Sequence, residues 1–136
     1  VDNNIIKIIE QMTLNPPASE ESLKDVEEKL GCNLPSQYKE FLLESNGAEG
    51  LIGSSYLVIW PIDDIVISNQ DYEVEKYTPG LIYFGSDGGG EAYAFDSRTK
   101  EMPIVEFPFE SIHIEDAELC GKTFYEFLQN LYCRIQ

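Results

Sequence analysis

The sequence predicts an α+β fold: one central antiparallel sheet of about 4–6 strands, flanked by N-terminal helices and a C-terminal helix. Three observations lead there. Apolar residues recur at helical spacing from Ile5 to Leu42, β-branched and aromatic runs between glycine- and proline-bearing turns fill the middle, and a wide apolar stripe closes the chain. Helices and strands that segregate in this way favour α+β over a doubly wound parallel sheet. With 136 residues, the chain reads as a single domain over residues 1–136. That size buries one core without disulfide or metal staples.

The elements follow in order. Ile5, Ile6, Ile8 and Ile9 predict a short first helix, ended by Asn15-Pro16-Pro17. Ser19 is placed to cap a second helix, with Glu20 and Glu21 in its first turn, where the helix dipole favours acids. Leu23, Val26 and Leu30 make its apolar stripe and Gly31 closes it. Pro35 suits the first turn of a third helix, because an N–H there would have no intrahelical partner. Tyr38, Phe41 and Leu42 form its buried face, and Asn46-Gly47 reads as a left-handed stop. The second and third helices, joined by a short link, are expected to pack as a pair.

The texture changes after Gly53. Tyr56 to Trp60, bounded by Ser54-Ser55 and Pro61, predicts a strand, and Ile62 to Val66 a single turn. Asn69 to Thr78 is polar and acidic and reads as a surface connection, closed by Pro79-Gly80. Further strands are predicted at Leu81–Gly85, Glu91–Asp96 and Pro103–Phe107, with turns at Ser86–Gly90 and Asp96–Thr99. In the middle one, Tyr93 and Phe95 share one face, Ala92 and Ala94 the other. Ile112-His113-Ile114 is either a fifth strand or an extended link. Thr123 and Glu126 have capping-box spacing before a stripe of Phe124, Phe127, Leu128, Leu131, Tyr132 and Ile135.

Charge is the strongest compositional signal. Twenty-five acids face nine bases, a formal net charge of −16, and the acids are spread along the chain. A folded surface carrying them repels nucleic acid and anionic membranes and attracts basic partners. The plain alternative is solubility alone. Cys32, Cys120 and Cys133 are odd in number and lack CxxC spacing, which fits a reducing compartment. No basic segment followed by an apolar run opens the sequence, and the charge-free stretch Leu51–Ile62 is too short to span a bilayer as a helix. A cytoplasmic monomer that binds neither nucleic acid nor membrane is expected.

The motifs that could carry chemistry have better structural explanations. Gly88-x-Gly90 begins a dinucleotide fingerprint, but Tyr93 occupies the third glycine position and a strand follows where a helix is needed. Gly121-Lys122-Thr123 resembles the end of a P-loop, but Asp116 stands where the first glycine belongs. The three cysteines and His113 lack the paired intervals of zinc sites, and Cys133 is expected on a buried face. His113, the sole histidine, points away from Ile112 and Ile114 and reads as solvated. Carboxylate pairs are too abundant to rank as glycosidase acids. Trp60 reads as a core anchor whose N–H stays near water. No catalytic residue, cofactor or metal is therefore assigned. The candidates for a contact surface are loop acids and their neighbours: Asp63 and Asp64, the run Asp71, Tyr72, Glu73, Glu75, and Asp87 and Glu91 about the glycine turn.

The ordered set of motifs resembles the SUKH superfamily, in its branch named for the yeast SMI and KNR proteins. The set comprises Leu34-Pro35-x-x-Tyr38-x-x-Phe41-Leu42 ending in Asn46-Gly47, then Trp60-Pro61-Ile62, then Gly85-Ser86-Asp87-Gly88-Gly89-Gly90 leading to Tyr93 and Asp96. It ends in Thr123-Phe124-x-x-Phe127-Leu128. The resemblance implies a central antiparallel sheet flanked by helices and no established catalytic set. For bacterial members it implies immunity proteins that neutralise a cognate toxin by binding it. For fungal members it implies regulators of cell-wall synthesis. The expectation is a non-enzymatic immunity-type module that sequesters a basic toxin, such as a nuclease, through an acidic surface. The alternatives are a regulator of cell-wall or glucan synthesis, and a carbohydrate-active enzyme.

Overall fold

The computed structural model describes residues 3–134. Seven strands, β1 (Thr13–Leu14), β2 (Ala48–Ile52), β3 (Ser55–Ile59), β4 (Leu81–Ser86), β5 (Glu91–Asp96), β6 (Ile104–Pro108) and β7 (Glu118–Gly121), form one antiparallel sheet in chain order. Helices α1 (Asn3–Ile8), α2 (Glu20–Leu30) and α3 (Ser36–Glu44) precede or interleave the first strands. Helices α4 (Ile65–Asp71) and α5 (Val74–Tyr77) lie between β3 and β4, and α6 (Phe124–Cys133) ends the fold. The class is the predicted one, with more strands than the 4–6 expected. β2 reads Ala-Glu-Gly-Leu-Ile, a composition poor in strand formers, and becomes a strand by pairing along its full length with β3. β7 is short and opens on an acid, and is held by β6 and by the Asn130 amide, which donates to the Cys120 carbonyl at 2.9 Å. Ile112-His113-Ile114 is a link leading into a 3-10 turn at Ile114–Asp116, not a strand.

Both faces of the sheet are packed, by unequal amounts. Helices α1, α2, α3 and α6 bury the larger side, where Tyr38, Phe84, Phe95, Phe124 and Phe127 mesh with Ile52, Leu57 and Ile104. Tyr38 meets Phe95 edge-on at 4.9 Å and Phe84 and Phe124 at 5.5 Å; Phe84 stacks on Phe95 at 4.5 Å. These are the offset and edge-to-face geometries that aromatic quadrupoles favour. The other face carries a smaller cluster of Leu81, Tyr83, Ala92, Ala94, Val105 and Phe107, joined by Val74 of α5. Contrary to expectation, α2 and α3 are not principal partners. α2 packs against the Ile62–Asp64 turn and α4, while α3 packs against α6. Glu27 nevertheless ties the pair, accepting from the Leu34 N–H at 2.6 Å and from Lys39 Nζ at 3.2 Å.

The ends of α2 and the start of α6 obey local rules. Ser19 Oγ accepts from the Ser22 N–H and Gly31 turns left-handed at φ 75°. Thr123 Oγ1 accepts from the Glu126 N–H, and Glu126 Oε1 answers by accepting from the Lys122 N–H at 3.0 Å. Pro35 is the residue before α3 rather than its first turn. Asn46-Gly47, by contrast, does not cap α3 as a left-handed stop. The helix ends at Glu44 with Ser45 extended. Asn46 instead makes a tertiary link, its Oδ1 accepting from the Ile62 N–H at 2.7 Å and its Nδ2 donating to Asp63 at 3.3 Å. Gly47 does sit at φ 92°, but its necessity is close approach: a Cβ there would lie 2.6 Å from the Ile59 carbonyl oxygen.

The β3–β4 pairing is short and decides where α4 goes. Only Val58 and Ile59 pair with Ser86 and Gly85, and the Trp60 N–H donates to the Phe84 carbonyl at 2.9 Å. Pro61 then takes the chain out of the sheet. A Cβ on Gly85 would collide with the Val58 carbonyl, so this pairing requires a glycine. Beyond it, no strand faces Tyr83 on that side. The Asn69 side chain of α4 fills the gap: Oδ1 accepts from the Tyr83 N–H at 2.8 Å and Nδ2 donates to the Tyr83 carbonyl at 2.9 Å. The stretch Asn69–Thr78 lies largely on the surface, as expected, but is helical rather than a plain connection. It contains the end of α4 and all of α5, with Val74 buried.

Two stability outcomes follow from these contacts. Asn69→Ala leaves both backbone groups of a buried strand residue without their partner and should cost about 2 kcal/mol in denaturant unfolding. An unchanged midpoint would contradict that role. The Tyr38 hydroxyl is buried with no hydrogen-bond partner among the described residues, and burial pushes its pKa up. Tyr38→Phe keeps the ring contacts and removes the desolvated hydroxyl, so unfolding stability should rise by up to about 1 kcal/mol.

Candidate interaction surface

The segment after β3 positions an aromatic array on the smaller face of the sheet. Trp60 closes β3, Asn69 fixes α4 beside β4, and Tyr72 falls at the corner between α4 and α5. Glu73 turns that corner in the left-handed region, at φ 52°. The Tyr72 ring stacks on Phe109 at 4.6 Å, lies parallel to Trp60 at 6.3 Å and tilts against Tyr83 at 5.8 Å. Tyr83 in turn meets Phe107 and Phe109. Tyr83 and Phe107 are buried, Trp60 and Phe109 are half-buried, and Tyr72 is 45% exposed. Trp60, expected as a core anchor with its N–H near water, is half-buried and packs against the core. It bridges the two packed clusters and presents part of its ring on the outer array.

The predicted contact residues are distributed unevenly around this array. Asp63, Asp64, Asp71, Glu73 and Glu75 are exposed on the Pro61–Tyr77 segment, and Tyr72 stands among them. Asp63 also accepts from Asn46. Asp87 organises the glycine turn: its Oδ1 accepts from the Gly89 N–H at 2.8 Å and the Glu91 N–H at 3.1 Å. Gly90 belongs to the same turn and accepts from the Phe109 N–H at 2.9 Å, so the turn meets the array through Phe109. Sequence reasoning passed over Phe109; its place in a Phe-Pro-Phe-Glu run at a strand end was the available signal. Glu91 does not join the array. Strand alternation sends it to the face of Tyr93, opposite Ala92.

Electrostatics separate these two regions. Lys76 is the only base between Lys39 and Arg98, so the chain that builds the array is almost purely acidic. Lys76 lies 5.0 Å over the Tyr77 ring, not over Tyr72. Across the sheet, Glu91 is surrounded by carboxylates. Partial burial raises its pKa most, and Glu106, Asp87, Glu118 and Glu110 raise it further. Arg134 answers Glu106 with bonds of 3.1 and 3.4 Å. At the opposite end of β5, Asp96 is held low by hydrogen bonds from Arg98, whose guanidinium and backbone N–H both reach its carboxylate.

The remaining candidates for chemistry lie apart. Cys32 is half-buried, Cys133 is exposed rather than buried, and Tyr132 beside it is exposed as well, while Ile135 lies outside the described residues. Cys120 is buried, which with Glu106 pushes its thiol up to about 11. His113 is exposed, 3.8 Å from Glu115. Among the described residues, no three His, Cys, Asp or Glu side chains gather as metal ligands. Gly121-Lys122-Thr123 is a strand-to-helix junction in which the Phe127 N lies 2.6 Å from the place a Cβ on Gly121 would take. An open groove of about 780 Å³ between α2 and α4–α5 is lined by Lys29, Cys32, Gln70, Glu73 and Lys76 among others and contains no histidine. No described helix is long and apolar enough to cross a membrane.

The fold and its surface define a class: an α+β domain whose antiparallel meander is packed mainly by helices on one face and carries a smaller cluster with a partly exposed aromatic array on the other. Residues 17–130 match the family described as SMI1 / KNR4 family (SUKH-1), and the chain belongs to that family. It is also similar to a Bacillus subtilis (strain 168) protein whose name reads "Uncharacterized protein YnaB", 37% identical over 82 residues. That match covers 60% of this chain and 48% of YnaB, so it spans about half of the relative's length.

The pH sign of Glu91 yields a test of the acidic cluster. A carboxyl whose folded pKa is raised supports the fold when protonated, and that support is lost as pH rises through its elevated value. Glu91→Gln should therefore raise the thermal midpoint at pH 7. The gain should vanish near pH 3, where both states of the wild type are protonated at this position. An equal gain at both pH values would mean that charge is not the cause.

Proposed function

We propose that this protein is a non-catalytic binding module that captures a cationic protein partner through its acidic surface, in the manner of an immunity protein that blocks a toxin. The observation that supports it most is the charge distribution on a SUKH-1 fold: a net charge of −16, with a single base between Lys39 and Arg98. A surface of one sign steers an oppositely charged partner and makes association sensitive to salt. Occlusion requires a shaped face and no catalytic constellation. That agrees with the scatter of His113 and the three cysteines over the fold. A nuclease is one partner that fits, since its active site is built to receive phosphate charge, which a carboxylate surface would imitate.

Capture at low ionic strength from cells of the source organism should recover a basic polypeptide that elutes as salt shortens the Debye length. Co-expression provides the functional reading: the captured polypeptide alone should arrest growth, and this chain should restore it. Arrest that persists despite co-expression would overturn the immunity reading.

A further inference from the structure

We propose that the Trp60–Tyr72–Phe109 array is the docking point for an arginine side chain of the cationic partner. This rests on the binding-module reading above and adds a location and a side-chain chemistry to it.

Three observations converge on the array. First, Tyr72 is held by rings on several sides, yet 45% of it remains in solvent. A rigid, partly exposed aromatic loses little conformational entropy on binding, which is the property of an interface anchor. Second, the corner that presents it is built at a cost. Glu73 takes a left-handed backbone that glycine would adopt more readily, directly after Tyr72, whose ring meets Trp60 and Phe109. Third, acids stand next to the exposed ring. Asp71 and Glu73 flank Tyr72 in the chain and are exposed, while Lys76 is turned to Tyr77.

Each feature fits a guanidinium better than the alternatives. Its planar face stacks on an aromatic ring, its edge donates in a fork to carboxylates, and it is more weakly hydrated than an ammonium. A lysine would find the acids but gain less from the rings. A sugar would stack on the rings and donate hydroxyl hydrogen bonds to the carboxylates, but being neutral it would gain nothing from their net charge.

The sole tryptophan lies within the array, so its fluorescence reports on this place directly. The probe is the peptide acetyl-Gly-Arg-Gly-Arg-Gly-amide, compared with its lysine counterpart and with a linear glucan pentasaccharide, at low salt. The arginine peptide should shift Trp60 emission along a saturable isotherm, and the lysine peptide should bind several-fold more weakly. Tyr72→Ala should weaken the arginine peptide by about tenfold, while Glu21→Gln on exposed α2 changes it less than twofold. Asp71→Lys, which leaves the rings intact, should weaken it as well and covers the case in which Tyr72→Ala perturbs the fold. Equal binding of the two peptides, or a Tyr72→Ala effect no larger than that of Glu21→Gln, would overturn the proposal. So would a response to the glucan alone. If a captured partner binds Tyr72→Ala and wild type alike, the partner docks elsewhere on the acidic surface. In that case this inference fails while the binding-module reading stands.

Discussion

A single asparagine side chain stands in for a missing strand. β3 pairs with β4 over two residues and then leaves the sheet at Pro61, so the Tyr83 backbone faces no strand on that side. Buried peptide groups need partners, and the Asn69 amide supplies both a donor and an acceptor in the arrangement a peptide would. Its Nδ2 also donates to the Ile65 carbonyl at 2.8 Å, binding the sheet to the helix's own backbone. Once α4 is fixed there, Ile65 enters the larger cluster, Val74 enters the smaller, and Tyr72 is carried to the outer face. The aromatic array follows from the geometry of a strand that ends early.

The acids of this protein divide into those spent on structure and those left in solvent. Glu27 joins α2 to the start of α3, Asp87 shapes the glycine turn, Asp96 receives Arg98, and Glu106 receives Arg134. Each works at short range through hydrogen bonds to charged or backbone donors, which gain more than neutral pairs do. The exposed acids of the Pro61–Tyr77 segment and the strand ends add long-range repulsion, which the fold tolerates and a basic partner would relieve. The Glu91 neighbourhood shows that tension: partial burial raises its proton affinity, and Glu106, Asp87, Glu118 and Glu110 raise it further.

Much of the architecture was legible because it is written at local periods. The stripes of α2, α3 and α6, the apolar runs of β4, β5 and β6 and the caps at Ser19, Gly31 and Thr123 all follow from residues a few positions apart. The elements that escaped were short or of contrary composition. α5 is a single turn carrying Glu75 and Lys76, and β2 and β7 carry glycine and glutamate. Isolated, none would hold its form; each persists through partners distant in sequence. Of the surface acids, exposure of the Asp63–Glu75 run could be foreseen from polarity, whereas the separation of Glu91 from Tyr72 required knowing which strand face each occupies.

The sequence by itself determined the class of fold, the large aromatic side of the core and the acidic character of the surface, because burial periodicity and net charge are properties of the chain. Tertiary structure alone decided that Asn46 would link a helix end to the Ile62–Asp64 turn instead of capping. It likewise decided that Asn69 would complete β4, and that Trp60, Tyr72 and Phe109 would meet. Those outcomes depend on side chains finding backbone or ring partners from other elements. Such pairings leave no local period, and only the assembled sheet brings the partners within reach.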